Sequence, residues 1–137
     1  MSLKVELIIP GQTRPKERPR TKTVIQTGAS GEVLDKKTWG YTPTRTRYYA
    51  KLAGILAKNE FNKRRLDPIP YPNPVRLTIE FILNRQATAV PDIGNLANMI
   101  SDVLQGIAYS NDSQVVELYA SKIKGKYPMT KVIIEEI

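Results

Sequence analysis

Residues 90–107 constrain the fold most strongly, because their periodicity is that of one amphipathic helix with a defined start. At about 100° per residue, the apolar and polar side chains separate onto opposite sides, which indicates a helix packed against a core. Pro91-Asp92 is a typical helix start, where Asp92 would accept hydrogen bonds from unpaired backbone N–H groups. The apolar side consists of Ile93, Leu96, Ile100, Val103, Leu104 and Ile107, and the polar side of Asn95, Asn98 and Asp102.

Alternating segments elsewhere predict strands. Residues 75–83 alternate between apolar and polar side chains, and further strands are predicted at residues 3–9, 115–124 and 130–136. Residues 23–26 and 32–34 flank a glycine-containing loop and indicate a hairpin, while Thr44 is the predicted N-cap of a helix that runs to about residue 62. We therefore expect a single domain, residues 1–137, of the α+β class: a small mixed or antiparallel sheet with two main helices packed on one face.

The composition excludes several kinds of active site. The chain has no cysteine and no histidine, which excludes disulfides, zinc–thiolate sites, Ser-His-Asp triads and histidine-ligated transition metals. An enzyme built from it must use carboxylates, lysines, tyrosines or a metal held by oxygen ligands. A formal net charge of +8 together with carboxylates points to Mg²⁺-dependent phosphodiester chemistry.

The positive charge favours nucleic acid as the partner, ahead of an anionic membrane. No apolar run reaches the length of a membrane span and no signal peptide is visible, so a cytoplasmic protein is expected. Cations at alternate positions in residues 14–22 indicate either a solvated loop or phosphate contacts, and the first half of the first helix is also basic. The candidate nucleic-acid-binding residues are Arg14, Lys16, Arg18, Arg20, Lys22, Arg45 and Arg47.

Asp92 and Asp112 are the candidate catalytic and metal-binding carboxylates. A turn after the helix could bring Asp112 back towards the sheet side of the helix. Two carboxylates from separate elements that converge at one place would suit a hard divalent cation. Asn95, Asn98 and Asp102 are polar neighbours that could orient a ligand or contact a phosphate. The alternative is purely structural, with Asp92 capping the helix and Asp112 closing a turn.

The residue order around these carboxylates resembles that of the RusA family of Holliday-junction resolvases. The resemblance rests on three regions of the sequence, and it extends from about residue 3 to 116. These regions are Ile9-Pro10-Gly11 with Pro15-Lys16-Glu17-Arg18-Pro19-Arg20, then Tyr41-Thr42-Pro43 with Thr46-Arg47, and lastly Pro91-Asp92-Ile93-Gly94-Asn95-Leu96 with Asn111-Asp112-Ser113-Gln114-Val115.

The resemblance implies a homodimer that binds Mg²⁺, with Mn²⁺ possible, and cuts four-way DNA junctions in recombination and repair, with a prophage origin. It implies three acidic positions, of which Asp92 and Asp112 match, while Gly94 occupies the third. Asn98 stands where the family carries a lysine. A junction-binding protein of the same fold that does not cut is the alternative, and a generic basic RNA-binding module is a third possibility.

Overall fold

The computed structural model describes residues 3–14, 20–29, 31, 33–41, 44–86 and 91–137. The described residues form six strands and two helices, and a short 3₁₀ turn at Asp112–Gln114 precedes the fifth strand. The elements are β1 (Lys4–Pro10), β2 (Arg20–Thr27), β3 (Val33–Tyr41), α1 (Thr44–Lys63), β4 (Val75–Asn84), α2 (Ile93–Leu104), β5 (Val115–Gly125) and β6 (Met129–Glu136).

Four strands form one mixed sheet in the order β1-β6-β4-β5. Strand β6 is antiparallel to both β1 and β4, whereas β5 is parallel to β4. Strands β1, β4 and β5 therefore run in the same direction, and their C-terminal ends lie at the same end of the sheet. Strands β2 and β3 pair with each other as a separate antiparallel hairpin. The α+β class and the mixed sheet predicted from the sequence are confirmed.

The core lies between this sheet and the two helices. Alternate residues of β4, from Val75 to Leu83, are buried, and they form one cluster with buried residues of both helices. The residues between them on β4, such as Thr78 and Glu80, are half-buried on the other face. Both helices therefore pack on one face of the sheet, as the sequence predicts. The helix residues in this cluster are Tyr49, Ala53, Ala57, Phe61, Leu96, Ala97, Met99, Ile100 and Leu104.

Strand β5 is at the edge of the sheet and differs from β4 in its exposure. None of its eleven residues is fully buried, although the strand is rich in apolar side chains. Within the described part of the chain, its backbone pairs only with β4. No described strand pairs with the other edge of β5. Its exposed apolar side chains are Val116, Leu118, Tyr119 and Ile123.

Two boundaries differ from those predicted. The helix α2 ends at Leu104 rather than continuing to Ile107, because Gly106 adopts a left-handed conformation with φ of 86° just beyond it. Strands β2 and β3 extend well beyond residues 23–26 and 32–34. Many of the added residues, such as Arg20, Lys22, Lys36 and Lys37, are charged, and no apolar alternation marks these parts of the strands. Backbone pairing defines them instead. None of the described helices is long and apolar enough to cross a membrane.

Candidate active site

Asp92 is the N-cap of α2. Its backbone is extended, and its Oδ1 accepts hydrogen bonds from the backbone N–H groups of Gly94 at 2.7 Å and Asn95 at 3.2 Å. The capping role predicted from the sequence is therefore confirmed. Within the described residues no group donates a hydrogen bond to the second oxygen, Oδ2, and the side chain is exposed. Asp92 thus stabilises the helix with one oxygen and presents the other to solvent.

Gly94 lies in the first turn of α2, directly beside this carboxylate. A Cβ atom built at Gly94 would come within 3.0 Å of Asp92 Oδ1, a contact tighter than ordinary van der Waals packing. Any larger residue therefore requires the Asp92 carboxylate to move by a few tenths of an ångström. Because that carboxylate is exposed, it can make this small movement. Gly94 itself supplies no side-chain oxygen to the site.

Lys122 brings a positive charge to the start of α2. Its Nζ donates a hydrogen bond to the carbonyl oxygen of Pro91 at 3.0 Å. Lys122 lies on β5 opposite Phe81, and so its side chain belongs to the face of the sheet that the helices cover. Sequence reasoning did not single out Lys122, because no local pattern distinguishes it from Lys124, the other lysine of β5. Only the register between β4 and β5 places it beside Asp92.

Asp112 is held in a 3₁₀ turn that is anchored by a buried glutamine. The amide nitrogen of Gln114 donates to the carbonyl oxygens of Ile69, Pro70 and Asn73 at 3.0–3.1 Å. The side-chain oxygen of Gln114 accepts from the backbone of Asn111 at 2.8 Å. These bonds tie the turn to the loop before β4, and therefore fix the position of Asp112 relative to the sheet.

A second contact ties the same turn to the end of α2. The backbone N–H of Asp112 donates to the side-chain oxygen of Gln105, the C-cap of α2, at 3.0 Å. The Asp112 side chain is exposed. Asp112 is therefore located at the C-terminal end of α2, whereas Asp92 is located at its N-terminal end.

Tyr109 is buried between Asp112 and the last turn of α2. Its hydroxyl donates a hydrogen bond to the carbonyl oxygen of Ser101 at 2.6 Å. The pKa of Tyr109 is raised to about 12, chiefly by burial; the hydrogen bond with Ser101 lowers it, and the nearby Asp112 and Asp102 carboxylates contribute to the rise. Tyr109 is therefore protonated at neutral pH, which suits a structural hydrogen-bond donor and excludes a general base.

This raised pKa predicts a loss of stability in alkali. The pKa of Tyr109 is about 12 in the folded chain against an ordinary value of 10.0, so the stabilisation is present in full below pH 10 and is lost as the pH rises through 12. In that window the free energy of unfolding should fall by up to about 1.4 kcal/mol per pH unit from this group alone. Urea unfolding of the protein and of Tyr109→Phe, measured below pH 10 and near pH 12, tests this.

Tyr109→Phe should show a shallower decline than the unchanged protein, because phenylalanine has no proton to lose. Tyr127→Phe is the matched control, since Tyr127 is an exposed tyrosine. An equal decline in the protein and in Tyr109→Phe would contradict the assignment.

The structure does not bring Asp92 and Asp112 together within one chain. The twelve-residue helix α2 separates them, a length of about 18 Å. Strand β5 gives a similar separation. Its first residue, Val115, follows the Asp112 turn, whereas Lys122, seven residues further on, contacts Pro91. Seven residues of extended strand span about 23 Å. The expectation that Asp92 and Asp112 converge at one place is therefore wrong for a single chain.

A Mg²⁺ ion held by both carboxylates does not fit this single chain. In the parts of the chain that the structure describes, no group of three or more Asp, Glu, His or Cys side chains is arranged to hold a metal ion. The remaining polar candidates divide between the two ends of α2. Asn95 and Asn98 are exposed on the half of the helix nearer Asp92, whereas Asp102 is close to Tyr109 at the end that holds Asp112.

Arg14 and Arg45 lie at the same end of the sheet as Asp92, where β1, β4 and β5 terminate. Both line a surface cavity of about 410 Å³, together with Tyr48 and residues that follow β1. The loop after β1 is joined to the end of β4 by a hydrogen bond from the Asn84 backbone to Gln12 at 3.1 Å. Arg14, which follows β1, and Arg45, in the first turn of α1, therefore lie near the C-terminal ends of β1 and β4. The chain leads from the C-terminal end of β4 to Asp92.

The structure describes the remaining predicted nucleic-acid-binding residues only in part. Arg47 is exposed in the first turn of α1. Arg20 and Lys22 belong to β2, whose side-chain positions the structure does not describe. Lys16 and Arg18 lie outside the described residues. For all seven candidate residues, contact with nucleic acid stays a prediction.

Comparison with known proteins supports one family for nearly the whole chain. The family model described as "Endodeoxyribonuclease RusA" matches residues 10–135, a range that includes Asp92, Asp112 and Lys122. The chain is also similar to the uncharacterized protein YqaN of Bacillus subtilis (strain 168), with 38% identity over 50 residues. That match covers 36% of this chain and 35% of the length of YqaN. By the extent of the family match, the chain belongs to the RusA endodeoxyribonuclease family.

Proposed function

We propose that this protein is an endonuclease that cuts four-way DNA junctions, and that it acts in recombination or repair. The family match over residues 10–135 carries this proposal. The matched range includes both carboxylates, and it includes Arg14, Arg45 and Lys122 at the Asp92 end of the sheet. We further propose that the working form is a homodimer in the cytoplasm. A generic RNA-binding module would share the positive charge but not the family match.

The residues at the N-terminal end of α2 suit binding of a phosphodiester. Lys122 and Arg45 provide positive charge for phosphate oxygens. The Asp92 side chain is exposed, and its Oδ1 is the oxygen that caps the helix, so Oδ2 is left to bind a cation. Mg²⁺, or alternatively Mn²⁺, is the proposed cofactor, since hard divalent cations prefer carboxylate oxygens. One chain does not provide two converging carboxylates for such an ion within its described residues.

Gly94 favours a second candidate function, which is junction binding without cleavage. Gly94 places no carboxylate beside Asp92, so the first turn of α2 contributes one acidic side chain where the family pattern implies two. A protein with the fold and the charge but too few carboxylates would still recognise a junction.

Cleavage of a synthetic four-way junction, with and without Mg²⁺, tests the proposal and separates the two candidates. The unchanged protein should cut the junction in preference to linear duplex DNA and to double-stranded RNA. Asp92→Asn should lower the cleavage rate by at least about 100-fold while binding the junction as before. Asparagine caps a helix as well as aspartate does, so the variant should unfold at the same urea concentration.

The outcomes differ for each candidate. Selective binding of the junction without cleavage by the unchanged protein would establish the second candidate function. Equal binding of junction, duplex and RNA would show that neither candidate is correct.

A further inference from the structure

We propose that the surface cavity between α1 and the chain that follows β1 holds one unpaired nucleotide of the bound DNA, with its base stacked on Tyr48 and its phosphate beside Arg14 and Arg45. The cavity is thereby a site that recognises a base outside a duplex. That the bound nucleic acid is DNA rests on the proposed function, whereas the binding of a base and a phosphate follows from the residues of the cavity.

The cavity has two walls, and one of them is a single face of α1. Arg45, Tyr48, Tyr49 and Leu52 form this wall, because side chains spaced three, four and seven residues apart lie on the same side of a helix. The other wall is the chain from residue 10 to residue 14, where it leaves β1. The volume of about 410 Å³ is within the range of roughly 300–1,000 Å³ found for small-ligand sites.

Both walls are held in place by strand β6 and the turn before it. Tyr49 is buried, and its hydroxyl is 2.8 Å from the hydroxyl of Thr130 on β6. On the other wall, the backbone N–H of Gly11 donates a hydrogen bond to the carbonyl oxygen of Pro128 at 3.1 Å. A cavity between two fixed walls is preorganised, which lowers the entropic cost of binding a ligand.

Tyr48 is the residue of the α1 wall that can stack on a base. Its side chain is 71% exposed, whereas that of the adjacent Tyr49 is 4% exposed. An exposed ring accepts any nucleobase on its face, because every base has a π-face. Since Tyr48 lines a cavity that Leu52 also lines, a base stacked on this ring is also close to an apolar surface.

The charge of the cavity makes a nucleotide a better fit than an uncharged aromatic molecule. Arg14 and Arg45 belong to opposite walls, and among the described residues no carboxylate lines the cavity. The first turn of α1 carries Arg45 and Arg47 and no acidic residue, an arrangement that the helix dipole disfavours. A bound phosphate would offset both the charge of the arginines and the dipole.

The cavity lies at the end of the sheet where α2 begins at Asp92. Helix α1 begins at this end, because Tyr49 contacts Thr130 opposite the end of β1, while Arg64, just beyond the other end of α1, reaches the carbonyl of Lys4. A DNA strand that passes Asp92 can therefore place a nearby nucleotide in the cavity. Extruding a base costs least where it is already unpaired, so the cavity favours branched DNA over duplex.

A duplex with one bulged nucleotide tests the cavity apart from junction cleavage. The unchanged protein should bind it about tenfold more tightly than the same duplex with an abasic bulge, because stacking on one aromatic ring contributes about that factor. Tyr48→Ala should abolish the difference, whereas Tyr48→Phe should retain it. Tyr71→Ala, which removes a 66% exposed tyrosine at the opposite end of the sheet, is the matched control. Fluorescence anisotropy without divalent cations measures the affinities.

The phosphate contact has a separate readout. The double variant Arg14→Gln with Arg45→Gln should weaken binding of the bulged and the abasic duplex by a similar factor, and it should reduce the dependence of binding on salt concentration. Unchanged affinity and unchanged salt dependence would overturn the assignment of the phosphate to these two arginines.

Photochemical cross-linking identifies the residue that touches the base. With 5-iodouracil as the bulged base, long-wavelength ultraviolet light should produce an adduct that mass spectrometry maps to Tyr48. An adduct on Tyr71 or on Tyr119 of β5 in its place would overturn the proposal. A preference for the bulged base that survives in Tyr48→Ala would also overturn it.

A free nucleotide is the alternative occupant of the cavity. If deoxyguanosine monophosphate alone bound as tightly as the bulged duplex, and lost this affinity in Tyr48→Ala, the cavity would belong to a free nucleotide and the proposal would be wrong. The proposed nuclease function fails separately, if the unchanged protein does not cut a four-way junction. The bulged duplex and the cross-link still decide the role of the cavity in that case, since neither needs cleavage.

Discussion

Gln114→Leu is expected to lower the free energy of unfolding by about 3 kcal/mol. Gln114 is buried, with 2% of its surface exposed, and its side-chain amide bonds to three carbonyl groups and one backbone N–H. Leucine has nearly the same volume but leaves the carbonyl of Asn73 and the N–H of Asn111 without these partners. Urea unfolding followed by circular dichroism measures the loss.

Gln105→Leu is the matched control for this prediction. Gln105 also accepts a hydrogen bond from the same turn, at the backbone of Asp112, but its side chain is exposed and water replaces the lost partner. We expect it to cost no more than about 1 kcal/mol. Similar losses for the two variants would mean that burial of Gln114 is not what anchors the turn.

Gly94→Asp is expected to raise the rate of junction cleavage by at least about tenfold, equivalent to ~1.4 kcal/mol of the barrier. The new carboxylate lies beside Asp92 in the first turn of α2, where the helix dipole favours negative charge. It would add a second carboxylate that could help to hold Mg²⁺. The Asp92 carboxylate must shift slightly, because the new Cβ comes within 3.0 Å of its Oδ1. Single-turnover cleavage over a Mg²⁺ titration measures the effect.

Gly94→Asn separates charge from shape in this experiment. It introduces the same Cβ contact and nearly the same side chain, but the amide is neutral, so it should not raise the cleavage rate. An equal increase in both variants would attribute the effect to a shift of Asp92 rather than to the added carboxylate. No increase in Gly94→Asp would show that the first turn of α2 does not need a second acid.

Features that depend on local sequence were predictable. The apolar face of α2, the exposure of Asn95, Asn98 and Asp102, and the capping by Asp92 all follow from periodicity and from the chemistry of a helix start. The strand at β4 follows from its alternation in the same way. The outer parts of β2 and β3 were missed, because their polar residues pair through the backbone and leave no pattern in the side chains.

The sequence by itself determined which elements form, the positive charge of the chain and the residues that its family pattern marks. The tertiary structure alone decided where those residues lie relative to one another. Because β5 runs parallel to β4, Asp112 is fixed at one end of α2 and Lys122 is carried to the other, beside Asp92. Strand direction and register depend on how distant segments pair, and no local pattern in residues 90–125 encodes them.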